Sequence, residues 1–331
     1  MDENGGVRGQ VLALDIGGTT IKAATVAADG TAGHRARCPS RREDGPDTVV
    51  ATVLDFATEQ LERQRATGAA PRAVGVCCPG IVDERAGVGV ESSSLGWRQL
   101  PLRQLLSERL GMPVSLVHDV RAGGVAEARL GAGRGVSNFL FMPVGTGVGA
   151  ALMFGGRPFP GAHWSSGELI HLVVQPQGGD LCRCGRRGCL ATVGSAAAIS
   201  THYGRATGER GVPAEEVLRR ATGGEPAAAR VWDEAVEALA EGVAICAAVV
   251  DPALVVVGGG LALAGDLLLT PLAEAVARRC SYGRPELTTA QLGDYAACIG
   301  AGLVAWDHQS GDGHVMRTPA QAGESCSTRD G

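Results

Sequence analysis

One pattern, an apolar strand, a glycine turn and a second apolar strand, occurs twice in this chain. The first copy is "QVLALDIGGTTIKAATVAADG" near the start, and the second is "NFLFMPVGTGVGAALMFGGRPF" in the middle. Each copy ends in a pair that signals a hairpin turn, Asp29-Gly30 in the first and Gly155-Gly156 in the second. A supersecondary unit repeated at this distance predicts two related α/β domains. The chain has 331 residues, 45% of them hydrophobic, enough to fill two cores.

The segments between the repeats fit that plan. "PDTVVATVLDFATEQLERQRA", "PLRQLLSERLG" and "RAGGVAEARLGAG" carry helical periodicity, as do "PAEEVLRRA", "VWDEAVEALAEGVAICAAVVDP", "LLTPLAEAVARRC" and "ACIGAGLVAW". "AVGVCCPGIVD", "MPVSLVHDV" and "ALVVVGGG" read as buried strands, the first broken at Pro79-Gly80. We expect a smaller N-terminal domain over residues 1–119 joined by about 300–310, and a larger one over 120–299. Residues 311–331 lack periodicity and read as a disordered tail.

Composition excludes several classes. The net charge of -5 gives no strong pull toward nucleic acid or a membrane surface. No stretch has the length of a membrane span, and the first apolar segment follows polar residues and ends on an aspartate, unlike a signal peptide. The expectation is a soluble cytoplasmic protein whose 10 cysteines are thiols or metal ligands rather than a disulfide framework. Lys22 is the one lysine beside 29 arginines, which hints at a specific local role.

Three glycine runs follow strands. In "DIGGTT", Asp15 stands at a strand end, where an oxygen ligand suits Mg²⁺. Gly17 and Gly18 let backbone N–H groups approach phosphate, and Thr19 and Thr20 add hydroxyl donors. Gly145, Thr146 and Gly147 offer the same chemistry in the second copy, and Gly258, Gly259 and Gly260 offer a flat backbone surface to an adenosine. No Walker loop is present. Asp119 closes the strand "MPVSLVHDV" and is placed to act as a general base or as a helix N-cap. His171, Cys182, Cys184 and Cys189 supply one nitrogen and three sulfurs on a loop carrying Gly185 and Gly188. That set suits a four-ligand structural Zn²⁺, because catalytic zinc keeps a position open. Zinc on one ring nitrogen of His171 leaves the other for a ligand, with Glu168 in the same pocket.

Taken together, "LALDIGGTTIKAATV", "CPGIVD", "SLGW", "HDVRAGGVAEARLGAGRG", "PVGTGVGAAL", "GELIH", "CRCGRRGCL" and "LVVVGGGLALAG" resemble the ROK family of repressors, open reading frames and sugar kinases, over about residues 10–305. The resemblance implies an α/β actin-like (ribonuclease H-like) ATPase fold, with two domains closing on ATP and a sugar. It implies Asp119 as the base and Gly80, Ser94, His118, Glu168 and His171 as sugar contacts. Asp15, Lys22 and the glycine runs would hold Mg²⁺ and ATP, and a homodimer is the family's common state. The first strand begins near Gln10, which leaves no room for the helix-turn-helix of the family's repressors and favours a kinase.

The sequence departs from the kinases of the family at sugar-facing positions. His118 replaces an Asn, Ala191 a Glu, Ser94 an Asn, and Ile170 the Gly of "GEIGH". The lost Glu would face the anomeric end of the sugar. The expected activity is transfer of the γ-phosphate of ATP to a hydroxyl of a hexose or sugar-like polyol. A C7-cyclitol of the valiolone or valienol type, which lacks a hemiacetal, is an alternative acceptor. A sugar-sensing regulator without turnover is the alternative from another class.

Overall fold

The computed structural model describes residues 9–311. The expected tail therefore lies, from residue 312 onward, outside the described residues. The chain divides into two compact units. Unit 1 takes the chain up to Ala126, Arg157–Ser166, and the chain from Tyr295; unit 2 takes Glu127–Gly156 and Gly167–Asp294. Relative to the division expected from the sequence, residues 120–126, 157–166 and 295–299 group with the first unit.

Unit 1 is built on a five-stranded sheet in the order β3-β2-β1-β4-β8. Its strands are β1 (Gln10–Ile16), β2 (Thr20–Ala27), β3 (Ala32–Pro39), β4 (Val74–Cys78) and β8 (Val114–His118). β1 to β3 are antiparallel, and β4 and β8 run parallel to β1. The turn after β2 forms at Asp29-Gly30, where Asp29 Oδ1 accepts the Thr31 N–H at 2.8 Å. A second, antiparallel sheet holds β5 (Ile81–Asp83), β6 (Val88–Ser92) and β7 (Trp97–Leu100).

Strand alternation sends Leu12, Leu14, Val74 and Val76 into one core with α1 (Pro46–Ala66) and α2 (Leu102–Leu110). The other face, with Gly75 and Cys77, meets α8 (Ala296–Ser310). That helix needs small residues. A Cβ on Gly75 would lie 2.0 Å from Ala301 O, and one on Gly300 would lie 1.8 Å from the carbonyl of Ala122 in α3 (Asp119–Leu130). The glycines that weaken "ACIGAGLVAW" as a helix by propensity are what let it approach sheet and helix so closely.

Unit 2 repeats the plan. Its sheet runs β10-β9-β12-β13, with β9 (Phe139–Pro143), β10 (Ala151–Phe154), β12 (Leu254–Gly258) and β13 (Glu286–Thr289); the two-residue strand β11 (Arg157–Pro158) lies in the segment grouped with unit 1. β9 and β10 are antiparallel, while β12 is parallel to β9 and β13 parallel to β12. The strand order and directions around β9 match those around β1, so the repeat seen in the sequence is a repeat in topology. Leu140, Met142, Val255 and Val257 pack with α6 (Pro226–Val250) and α7 (Asp266–Arg279) in a core that also takes residues of α4 (Ala196–Thr207) and α5 (Ala214–Thr222). α4, β6, β7 and β13 went unread in the sequence. α4 carries a signal that would have found it: Ser195 Oγ caps the helix by accepting the Ala198 N–H at 3.1 Å.

Candidate functional site

The residues singled out in the sequence gather into one group in unit 1 and two in unit 2. In unit 1, Asp15 and Asp119 stand at the ends of parallel-paired strands, Asp15 in β1 and Asp119 just after β8. Such carboxyl ends are where ligands meet open α/β sheets. Asp15 is 8% exposed. Its Oδ2 lies 3.6 Å from Lys22 Nζ across the β1–β2 ladder, and its Oδ1 takes the Cys77 thiol at 3.5 Å. Burial raises its pKa to about 6; Lys22 opposes the shift and the Asp119 charge adds to it. The lone lysine thus has its specific place, beside a buried carboxylate. Gly17 to Thr20 form the tight turn between β1 and β2, with Gly17 N–H on Thr20 O at 3.0 Å. Ser40 ties the turn down through its Oγ, which donates to Gly18 O at 2.9 Å.

Asp119 opens α3. Its Oδ1 accepts the N–H of Val120 at 2.7 Å and lies 3.2 Å from His118 Nε2. Burial raises its pKa, against the Val120 N–H and Arg121. Burial and then Arg121 push His118 down to about 3, so its imidazole is neutral at neutral pH. Gly80 sits between β4 and β5 at φ +104°, and a Cβ there would lie 2.1 Å from Glu91 O, so only glycine fits. Ser94 lies in the β6–β7 turn with its hydroxyl 3.2 Å from that of Ser92, and a Cβ on Gly18 would come 3.6 Å from Ser94 Cβ.

In unit 2, the two remaining glycine turns meet at the ends of β9 and β12. Val144 N–H donates to Gly258 O at 2.9 Å, and Leu261 N–H returns to Val144 O at 3.0 Å. Gly145 N–H closes its own turn on Gly147 O at 2.8 Å. Gly145–Gly147 and Gly258–Gly260 are therefore one continuous backbone surface. Ile170 lies against it: a Cβ on Gly147 would be 3.2 Å from Ile170 Cδ1.

Glu168 leads into the short 3-10 turn Leu169–His171, whose last N–H bonds back to Glu168 O at 3.1 Å. The ligand atoms of His171, Cys182, Cys184 and Cys189 all lie within 4.8 Å of one another. Cys182 Sγ is 3.6 Å from His171 Nδ1, and Cys184 Sγ is 3.5 Å from Cys189 Sγ. A tetrahedral zinc at ordinary bond lengths separates two sulfurs by about 3.8 Å and a sulfur from a nitrogen by about 3.5 Å. The four residues therefore fit the ion. Backbone hydrogen bonds shape the loop before any metal does. Val174 and Gln175 both donate to Gly188 O, Leu190 donates to Leu172 O, and Cys182 donates to Arg186 O. Gly188 has φ +70°, and a Cβ on it would lie 1.7 Å from Gln175 O. Ala191 follows directly in the 3-10 turn Leu190–Thr192.

Three residues of weight escaped the sequence reading. Glu84 and Arg121, 6% and 1% exposed, form a buried ion pair at 2.7 Å beside His118. Glu127, fully buried, accepts the N–H groups of Ala132, Gln291 and Leu292. Their sequence neighbours do not mark them out, and their partners are remote.

The chain matches the model of the ROK family over residues 11–308. It is 31% identical over 305 residues to a glucokinase of Halalkalibacterium halodurans, covering 87% of this chain and 92% of that protein. A ROK hexokinase from Thermus thermophilus superposes with a TM-score of 0.79 at 33% identity, over 91% of this chain and 99% of that one. A ROK glucokinase from Streptomyces griseus, solved with glucose and AMPPNP, gives 0.77 at 27% identity, over 90% and 99%. The chain belongs to the ROK family and has its actin-like α/β ATPase fold.

Proposed function

We propose that this protein is an ATP-dependent kinase that transfers the γ-phosphate of ATP to a hydroxyl of a hexose or sugar-like polyol. The observation that carries this is Asp119. It is a carboxylate pinned at the start of a helix, with its proton affinity raised by burial, in a chain whose family relatives include a glucokinase solved with glucose and an ATP analogue. Phosphoryl transfer asks the protein mainly for positioning and charge neutralisation, so one base and one metal site suffice. Asp119 takes the proton of the attacking hydroxyl. Asp15, with Lys22 beside it, holds Mg·ATP. The Gly17–Thr20 turn and the joined turns Gly145–Gly147 and Gly258–Gly260 present backbone donors and a flat surface to the nucleotide. Gly80, Ser94, Glu168 and His171 contact the acceptor. Zinc on His171, Cys182, Cys184 and Cys189 would hold the loop that presents Glu168 and His171, and would carry no chemistry of its own. The resemblance to the family is what supports a homodimer.

The finer proposal concerns the acceptor. Ala191 stands where an acid would face the anomeric end, immediately after the zinc loop. A site lacking that acid no longer penalises an acceptor without the anomeric hydroxyl, because no buried carboxylate is left unpaired. Ile170 fills the space beside Gly147. Plain glucose is then a poorer acceptor than a sugar modified at C1 or a C7-cyclitol. An ADP-release screen over hexoses, amino sugars and C7-cyclitols tests both levels. No ADP release with any acceptor would overturn the kinase and favour a sugar-sensing regulator. Glucose as the best acceptor, with KM well below about 1 mM, would overturn the finer reading alone.

A further inference from the structure

His118 ends β8 and Asp119 begins α3. Consecutive residues within a strand point to opposite faces, but the strand ends between these two. The imidazole Nε2 and the carboxylate Oδ1 come to 3.2 Å. The Val120 N–H reaches the same oxygen at 2.7 Å. Oδ1 thus faces two nitrogens, while no donor from another described residue of this unit reaches Oδ2.

The ring is held where it is. His118 is 8% exposed. Its backbone N–H donates to Glu84 Oε1 at 3.0 Å, and the same oxygen takes Arg121 Nε–H at 2.7 Å. Arg121 donates further to Val82 O at 3.4 Å and to Trp164 O at 3.2 Å. A buried ion pair therefore grips the chain on both sides of the His118–Asp119 step. The charged and titratable groups around the pair are Arg121 on α3, Glu84 after β5, Cys77 and Cys78 on β4, and Asp15 on β1.

The tautomer follows from the surroundings. His118 Nδ1 is buried and has no partner among the described residues. Either tautomer leaves Nδ1 unpaired, so Nε2 decides. A proton there makes a hydrogen bond to the carboxylate; a lone pair there would repel it. We propose that His118 is a positioning residue. Neutral and protonated on Nε2, it holds Oδ1 of Asp119 together with the Val120 N–H, and so presents Oδ2 as the oxygen that takes the acceptor's proton. This deepens the reading of Asp119 as the base and rests on it. As the acceptor oxygen bonds to the γ-phosphorus and the bond from phosphorus to the ADP oxygen breaks, the hydroxyl proton moves to Oδ2. His118 keeps its own proton throughout. A donor on a carboxylate favours the ionised form. Losing that donor raises the pKa of Asp119 and moves the acidic limb of the rate profile to higher pH.

The test compares His118→Phe, which keeps ring volume but has no Nε2, with His118→Gln, whose side-chain amide reaches about as far as Nε2. Both are assayed with MgATP and glucose and, in parallel, with the best acceptor of the ADP-release screen. His118→Phe should lower kcat about tenfold or more, shift the acidic limb of the kcat profile upward, and leave KM for ATP unchanged. His118→Gln should recover most of kcat and of the limb. A wild-type kcat and limb in His118→Phe would overturn the proposal. So would a raised acceptor KM at unchanged kcat, or a His118→Gln no better than His118→Phe. Nitrogen-15 NMR of histidine-labelled wild-type enzyme decides independently of how the variants fold. The His118 ring should show Nε2–H and stay neutral down to about pH 5. An Nδ1–H tautomer, or titration at an ordinary histidine pKa, would sink the idea. Near-normal turnover in Asp119→Asn would instead overturn the base assignment itself.

Discussion

Asp15 is a buried carboxylate and Asp119 a half-buried one, both with raised proton affinity, yet they are set up for different work. Asp119 has its charge steadied by the Val120 N–H at a helix start, which suits a base that must be ionised and then accept a proton. Asp119→Asn should cut kcat by roughly a hundredfold or more while ATP still binds, as read by steady-state kinetics beside nucleotide titration. Asp15 has Lys22 at 3.6 Å and a pKa raised to about 6 by burial. Folding therefore favours its protonated form. The resulting contribution to stability is whole below the ordinary carboxylate pKa and is lost as pH rises through about 6. Asp15→Asn mimics the protonated form. Without nucleotide it should melt higher than wild type at pH 8, and the two should converge below about pH 4, while Mg·ATP binding is lost. Melting curves at the two pH values check the sign. Ala191 makes the third prediction at this scale. Ala191→Glu should raise kcat/KM for glucose relative to the best cyclitol by about tenfold. An unchanged ratio would mean that position 191 does not read the acceptor.

At the scale of elements, the junctions carry more than the elements themselves. Glu127, near the end of α3, accepts the Ala132 N–H from the turn after the helix and the Gln291 and Leu292 N–H groups from more than 160 residues away. Inside unit 2 it ties together the two segments that lead out of that unit at 126/127 and 294/295. Glu127→Ala leaves three backbone donors without their acceptor and should cost about 3 kcal/mol or more by urea unfolding. A loss below about 1 kcal/mol would show that water replaces the carboxylate. The loop that carries His171 and the three cysteines is the other such junction. Its backbone hydrogen bonds close the loop locally, but three thiolates within 4.8 Å of one another repel unless a cation sits between them.

At the scale of the whole molecule, two cores of separate composition imply two separable responses. Leu12, Leu14, Val74 and Val76 belong to one core and Leu140, Met142, Val255 and Val257 to the other. Purified protein should carry about one zinc per chain by elemental analysis. Chelation should raise hydrogen exchange in residues 167–195 and in α4, which follows the loop and shares the second core, and leave the β1–β4–β8 ladder protected. A metal-free protein with unchanged exchange and activity would remove zinc from the account.

Most of the fold's architecture is local, and for that reason it was readable. The paired strand–turn–strand units, the helix over Pro46–Ala66 and the turn at Asp29-Gly30 follow from apolar period and turn chemistry within a few residues. So does the cysteine cluster of the candidate metal site, whose three thiols fall within eight residues. What stayed hidden depends on distant partners. β6 and β7 are short strands with little apolar alternation, and β13 is a four-residue strand that exists through pairing with β12. The burial of Glu84 against Arg121, the turn of the His118 ring toward Asp119, and the reach of Glu127 to Gln291 were decided only when the strands packed. A carboxylate's role is set by which donors and how much water surround it, and residues 34 or 164 positions away supplied those donors.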